Sequence, residues 1–352
     1  MRVVIIGPSP RKSKGGMATV IRGILNDKKL NEEFDIGFYP SYIDGFMMLR
    51  AIYSTLAVAV FFFVGRNYDI YHIHLASRGS TIRKSIYARM AKNWGKKVIL
   101  HMHGAEYMMF YDEMSCRMRQ YVSRFLNSAD AVVALSAEWK RQYDNTFGLK
   151  NCVSIENGVD LSIYSSCSCT LEECQHSFLA LGRVGKRKGT YDIVNAVERI
   201  KPLVDDIMVY IAGDGETNEV KKMIVEKNLE KNVVVTGWID VSRKIDLLSR
   251  VSTVLLPSYN EGLPMSILEG MAAGKAIICS NVGAIPEVIS ERNGILIEAG
   301  DIKALESAML RMCNDNNLAS EYGKRNQMDA KNRFSIEIMH EKIRRIYNDM
   351  AC

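Results

Sequence analysis

Residues 253–274, TVLLPSYNEGLPMSILEGMAAG, constrain this chain more than any other stretch. Thr253–Leu256 is a short apolar run with the pattern of a buried strand. A polar turn containing Gly262 follows, and then a helix pattern opened by Pro264 and closed by Gly274. Proline is tolerated in the first turn of a helix, where its missing N–H costs nothing, and glycine suits the left-handed residue after the last turn. A strand that runs directly into a helix belongs to a parallel sheet with helices on its faces.

Such a unit aims the free N–H groups of Leu263, Met265 and Ser266 at whatever lies above the strand's carboxyl end. That is a site for an anion, most often a phosphate. Glu261 and Glu269 frame it. Acids beside a phosphate would repel the anion, so their natural partners are hydroxyl groups. One anion flanked by two hydroxyl-bearing groups describes a sugar nucleotide. The residues alone leave a second reading open, a solvated loop acid plus an ordinary glutamate in the first turns of a helix.

The Glu-x7-Glu spacing within EGLPMSILEGMAAGKAIICSNVGAIPEVI (261–289) resembles the donor site of the large bacterial family of group 1 glycosyltransferases, which are retaining and metal-independent. The resemblance extends over nearly the whole chain. It implies an α/β protein of the GT-B fold, two facing Rossmann-like domains with a C-terminal helix crossing back to the first. The expected division is residues 1–165 with 332–352 for the acceptor side, and 166–331 for the nucleotide-sugar donor side.

A length of 352 residues suits two domains, each with its own core. The formal charge of +6 lies wholly in the first half: 22 Lys and Arg against 16 Asp and Glu in residues 1–175, and 24 against 24 thereafter. A basic half faces anionic lipid, a phosphorylated acceptor or nucleic acid. No basic-aromatic run of the RNA-binding kind occurs, which sets nucleic acid aside. Met1-Arg2 leads straight into the apolar run VVIIG, so a cytosolic, reduced chain is expected, with the cluster Cys167, Cys169 and Cys174 as free thiols.

Alternating strand and helix patterns continue along the first half. Val3–Ile6 ends in the loop GPSPRKSKGG, which lacks the Gly-x-Gly-x-x-Gly fingerprint of dinucleotide enzymes. Arg11, Lys12 and Lys14 make the loop basic, and Gly15-Gly16 open a helix where backbone N–H groups can approach a ligand. In the resembled family a glycine pair here meets the donor's distal phosphate, and Gly16 is the matching position. Two strand patterns end in His-x-His, His72/His74 and His101/His103. Each pair shares a face. Zinc ligands, satisfied core histidines and a functional histidine at a strand's carboxyl end are the three readings. HMHGAE (101–106) resembles the family's His-Gly element, with His103 as the matching residue. Asn157-Gly158-Val159-Asp160 resembles its domain-joining turn, and the Ser- and Cys-rich 162–175 reads as a linker.

In the second half LGRVGKRKG (181–189) carries Arg183 and Lys188 on a glycine-flexed loop, as a diphosphate requires. The loop alone also reads as an exposed basic turn; the resemblance implies that these two cations bind the diphosphate. No Asp-x-Asp occurs, so no metal and no cofactor are expected.

The expected function is hexosyl transfer from a nucleoside-diphosphate sugar to a glycan or lipid-linked acceptor of surface-polysaccharide synthesis. By the resemblance, His103, Arg183, Lys188 and Glu261 would be catalytic. Gly15, Gly16, Arg183, Lys188, Gly262, Leu263, Pro264, Met265, Ser266 and Glu269 would bind the donor, with Glu269 on the ribose. The alternatives are a sugar-nucleotide epimerase of the same fold and a non-catalytic nucleotide-sugar-binding protein. A dehydrogenase is disfavoured by the missing fingerprint. Finally, Ala51–Val64 is apolar on every side of a helix, and Arg50, Arg66, Arg78, Arg83, Lys84 and Arg89 surround it in sequence. It is too short to span a membrane. It reads either as a core helix or as a peripheral contact with an anionic membrane.

Overall fold

The computed structural model describes residues 1–10, 13, 15–43, 47–167 and 174–351, with the side chains of 47, 50, 51 and 316 excepted. Arg11, Lys12, Lys14 and Cys169 lie outside the described residues, as does the side chain of Arg50. The chain divides into two compact units, Met1–Gly158 with Ile336–Cys352, and Val159–Ser335.

Among the described residues, unit one holds a six-stranded sheet of β1 (Arg2–Pro8), β2 (Asp35–Tyr42), β3 (Ile70–Leu75), β4 (Lys97–Met102), β5 (Ala131–Ala134) and β6 (Cys152–Ser154), ordered β2-β1-β3-β4-β5-β6. Unit two holds β7 (Ser177–Leu181), β8 (Met208–Ala212), β9 (Val233–Gly237), β10 (Thr253–Leu256), β11 (Ala276–Ser280) and β12 (Ile295–Ile297), ordered β12-β11-β10-β7-β8-β9. Every pairing is parallel. Helices cover both faces, so inner strands such as β10 and β11 are buried along their whole length. The direction of winding reverses between β1 and β3 in one unit and between β7 and β10 in the other. Open α/β sheets bind their ligands at the carboxyl ends of strands beside such a switch point. Each unit thus has the doubly wound, Rossmann-like plan that the sequence led us to expect.

The strand β2 has no clear signature in DIGFYPSY, because Pro40 and Gly37 argue against a strand. Its place at the sheet's edge explains the tolerance: proline removes a ladder donor that an edge strand can spare. The boundary between units falls earlier than the expected 165/166. Val159 bridges to Ser335 and its N–H donates to the Phe334 carbonyl at 2.8 Å, which ties the linker's start into unit two. Cys174 carries a disulfide, where a free thiol was expected; Cys167 is free.

The C-terminal helix Ile336–Ala351 belongs to unit one. Its Tyr347 is fully buried, edge-on to Phe34 at 5.3 Å, with its hydroxyl 2.7 Å from His72 Nδ1. Nearer its start, His340 Nδ1 lies 2.7 Å from Asp27 Oδ2. Burying an aromatic of that size contributes about 1.5–3 kcal/mol.

The helix Met47–Val64 and its neighbour Gly79–Asn93 each correct the sequence reading on one point. The first is not uniformly buried or uniformly exposed: Ser54, Ala57 and Phe61 face inward, while Leu56 and Phe63 are 60% and 80% exposed. Phe61 is a core residue, packed edge-on against Tyr39 (4.7 Å) and Tyr87 (4.9 Å). Lys84 is not a surface cation either. It is 2% exposed, and its ammonium donates to Ser41 Oγ (2.5 Å) and the Ile6 carbonyl (3.4 Å). Among the described residues, no helix is long and apolar enough to cross a membrane.

Candidate functional site

In unit two the chain leaves β7 through Gly182 and Gly185, makes one 3-10 turn at Lys186–Lys188, and enters the helix Thr190–Ile200 through Gly189. Gly189 has φ 66°, and a Cβ there would sit 2.1 Å from the Pro257 carbonyl oxygen. Only glycine lets this loop close so tightly on the one after β10. Two further bonds join the loops: the Tyr259 N–H donates to the Arg187 carbonyl (2.9 Å), and the Arg187 guanidinium donates to the Asn260 carbonyl (3.0 Å). A third loop is added at Gly283, whose Cβ would meet the Glu261 carbonyl at 1.9 Å, and by the Ala284 N–H donating to the Gly262 carbonyl (3.0 Å).

The fused loops gather the predicted residues. Arg183 is exposed and has no side-chain partner among the described residues. Gly182, Arg183, Lys188, Thr190, Leu255 and Leu256 line a shallow depression over the switch point. Lys188 is oriented inward, its ammonium donating to Glu261 Oε1 at 2.5 Å, with Arg187 3.9 Å from the same oxygen. Glu261 is 5% exposed. Leu263, Pro264 and Ser266 are buried, and Gly262 and Met265 are partly exposed. The helix is Met265–Ala272. Pro264 is its N-cap rather than part of the first turn, so no side chain caps the first-turn amides. Gly274 takes the left-handed conformation, φ 66°, after the last turn.

Glu269 is buried on that helix and accepts from the Lys244 ammonium at 2.6 Å. Tyr164 also donates to it, and burial together with that carboxylate pushes the phenol's pKa far up. Neither Lys244 nor Tyr164 was singled out from sequence. Lys244 lies on the helix Val241–Leu248, where it reads as one more surface lysine.

In unit one, Gly15 (φ 125°) is the N-cap of the helix Gly16–Asn26, and no side chain caps that helix. A Cβ on Gly15 would have room, so conformation and not crowding requires the glycine. The Arg22 guanidinium holds the preceding loop by the Pro10 carbonyl (2.6 Å). His103 follows β4, where its N–H donates to the Leu75 carbonyl at 2.7 Å. Its Nε2 lies 2.8 Å from His74 Nδ1, and His72 Nε2 lies 3.1 Å from His101 Nδ1. The two expected pairs thus form one assembly of four rings, because β3 and β4 pair in register at His74 and His101. His72, His74 and His101 are buried between the sheet and its cover, and His103 is at the rim. Desolvation holds all four below the ordinary histidine pKa, His72 and His103 down to about 3. Ring nitrogens of His72, His74 and His101 come within 4.8 Å of one another. After desolvation and the neighbouring rings, buried Lys84 adds to the depression at His74 and His103.

Comparison with known proteins agrees with this arrangement. A family model described as "Glycosyltransferase Family 4" matches residues 3–163, and one described as "Glycosyl transferases group 1" matches residues 170–329. The capsular polysaccharide biosynthesis glycosyltransferase CapM of Staphylococcus aureus is 26% identical over 204 residues, covering 54% of this chain and 53% of CapM. The N-acetyl-alpha-D-glucosaminyl L-malate synthase of Bacillus anthracis is 24% identical over 296 residues, covering 81% and 75%. Among solved structures, HepE of Anabaena in complex with UDP-glucose superposes with a TM-score of 0.80 at 17% identity, covering 99% of this chain and all of HepE. With both halves matched, the glycine-fused loops carrying Arg183, Lys188 and Glu261, and Glu269 on the helix that follows, the chain belongs to the group 1 glycosyltransferases of the GT-B fold.

Proposed function

We propose that this chain is a retaining, metal-independent hexosyltransferase that moves a sugar from a nucleoside diphosphate to a glycan or lipid-linked acceptor of surface-polysaccharide synthesis. The observation that carries the reading is the fused set of loops at the β7/β10 switch point. It offers an exposed unpaired guanidinium, a lysine and an uncapped helix start beside two buried acids. HepE, of the same fold, binds UDP-glucose, and CapM serves capsular polysaccharide synthesis.

Arg183 and Lys188 would take the diphosphate, with the amides of Leu263 to Ser266 around Gly262 and Pro264 completing its hydrogen bonds. Gly15 and Gly16, at an uncapped helix start, would offer their amides to the donor's distal phosphate. Glu269 would accept from the ribose hydroxyls and Glu261 from the sugar's. As the bond from the anomeric carbon to the diphosphate breaks, its electron pair leaves on the phosphate oxygen. The acceptor oxygen attacks on the same face, and its proton passes to the departing phosphate. His103, neutral at working pH, would contact the sugar while positive charge develops there.

Arg183→Ala is the clean test, since that side chain holds nothing else together. The expected result is a loss in kcat/KM equivalent to about 2–4 kcal/mol, with the melting temperature unchanged. Activity should also survive a chelator. Near-wild-type turnover by the variant, or an absolute need for a divalent ion, would overturn the cationic-loop mechanism.

A further inference from the structure

We infer that unit one docks on an anionic membrane surface through the face formed by the helices Met47–Val64, Gly79–Asn93 and Cys116–Asn127. On the first helix Leu49, Ile52, Leu56, Val60 and Phe63 recur at steps of three and four residues, and all are at least half exposed. This stripe lies opposite Ser54, Ala57 and Phe61, which face the core. A helix on a soluble surface turns polar residues outward; this one turns aliphatic and aromatic residues outward instead.

The neighbouring helix extends the apolar surface with exposed Ile82 and Ile86, one turn apart, and ends it with exposed Arg89. The third helix joins through the Tyr121 hydroxyl, 2.6 Å from Ser85 Oγ, and adds exposed Met118 and Tyr121. None of the three helices contains an aspartate or glutamate. Arg66, Arg89, Arg117 and Arg124 are exposed on them or beside them. Of the acids flanking the third helix, Glu113 is taken by Arg78 at 3.7 Å and Asp130 by Lys92 at 2.8 Å, which leaves Asp112 as the exposed acid beside it.

An apolar stripe edged by unneutralised arginines matches the interface of an anionic bilayer, where apolar side chains enter the acyl boundary and cations remain at the headgroups. A second copy of the same face would bring cations against cations. The inference does not depend on which sugar is moved, and its assay contains neither donor nor acceptor.

The test is flotation of the full chain with vesicles of phosphatidylcholine alone or mixed with phosphatidylglycerol, at low and high salt. Wild type should float only with the anionic vesicles and be released by salt. Leu56→Ser with Phe63→Ser should reduce flotation about ten-fold without shifting the melting temperature, because both side chains point to solvent. Phe61 is left intact because it holds the core. Wild type remaining in the soluble fraction with anionic vesicles overturns the inference, as does a double variant that floats equally well. So does a dimer in sedimentation that the double variant dissociates, which would assign the face to a second copy.

Discussion

Lys188 sits 2.5 Å from Glu261 and Lys244 sits 2.6 Å from Glu269, so each of the two buried acids already holds a cation. Both carboxylates are nearly inaccessible to water. Removing Lys188 alone strands a buried charge, a change that costs about 3–5 kcal/mol when the partner stays ionised. Lys188→Ala should therefore lower both activity and melting temperature, and Lys188→Ala with Glu261→Gln should recover most of the stability but none of the activity. Equal stability of the single and double variants would show that the pair carries no such cost. The two acids should also separate kinetically: Glu269→Ala raising KM for the donor, Glu261→Ala lowering kcat. Interchangeable profiles would remove the distinction. Arg183, Lys188, Glu261 and Glu269 were expected from the family resemblance, and that their loops fuse was not legible, because the close approaches at Gly189 and Gly283 join segments far apart in the chain. Lys244 and Tyr164 were not expected, since each reaches Glu269 from a distant element and nothing in its own neighbourhood records the contact.

Strands β3 and β4, with His103 just past the end of β4, carry the four-histidine assembly, and the alternation His-x-His did announce that each pair shares a face. It could not announce that the pairs would register beside each other, because register is set by the whole sheet. Burial depresses the folded-state pKa of every ring, so the unfolded chain binds protons that the folded chain refuses. Stability therefore falls as pH drops from about 6.5 toward about 3, by up to about 1.4 kcal/mol per pH unit for each proton. Lys84, held down to about 7 beside these rings, adds the same sign of dependence between about pH 7 and its unfolded value. Urea midpoints measured from pH 7 to 5 should fall steeply, and His74→Asn should flatten the slope. A flat wild-type profile would mean that the rings are protonated in the folded protein. Helix Met47–Val64 shows the complementary limit of sequence: its composition is apolar all round, and only the fold tells that Phe61 is core while Phe63 faces out.

At the scale of the molecule, unit two is one uninterrupted segment, Val159–Ser335, whereas unit one is closed by a helix from beyond it. The family pattern made both halves and the returning helix legible. The exact crossing was not, because a backbone bridge between Val159 and Ser335 has no side-chain signature. Residues 159–335 expressed alone should fold cooperatively and bind nucleoside diphosphate, and 1–158 alone should remain protease-sensitive until a peptide of 336–352 is added. Resistance of 1–158 without the peptide would refute that dependence. The order of synthesis gives this discontinuity a consequence. The ribosome must finish the whole of unit two before unit one receives Tyr347, the cover for His72. The nascent chain therefore matures out of sequence, its second-made body first, and the first-made sheet waits with one flank open for the last helix to arrive.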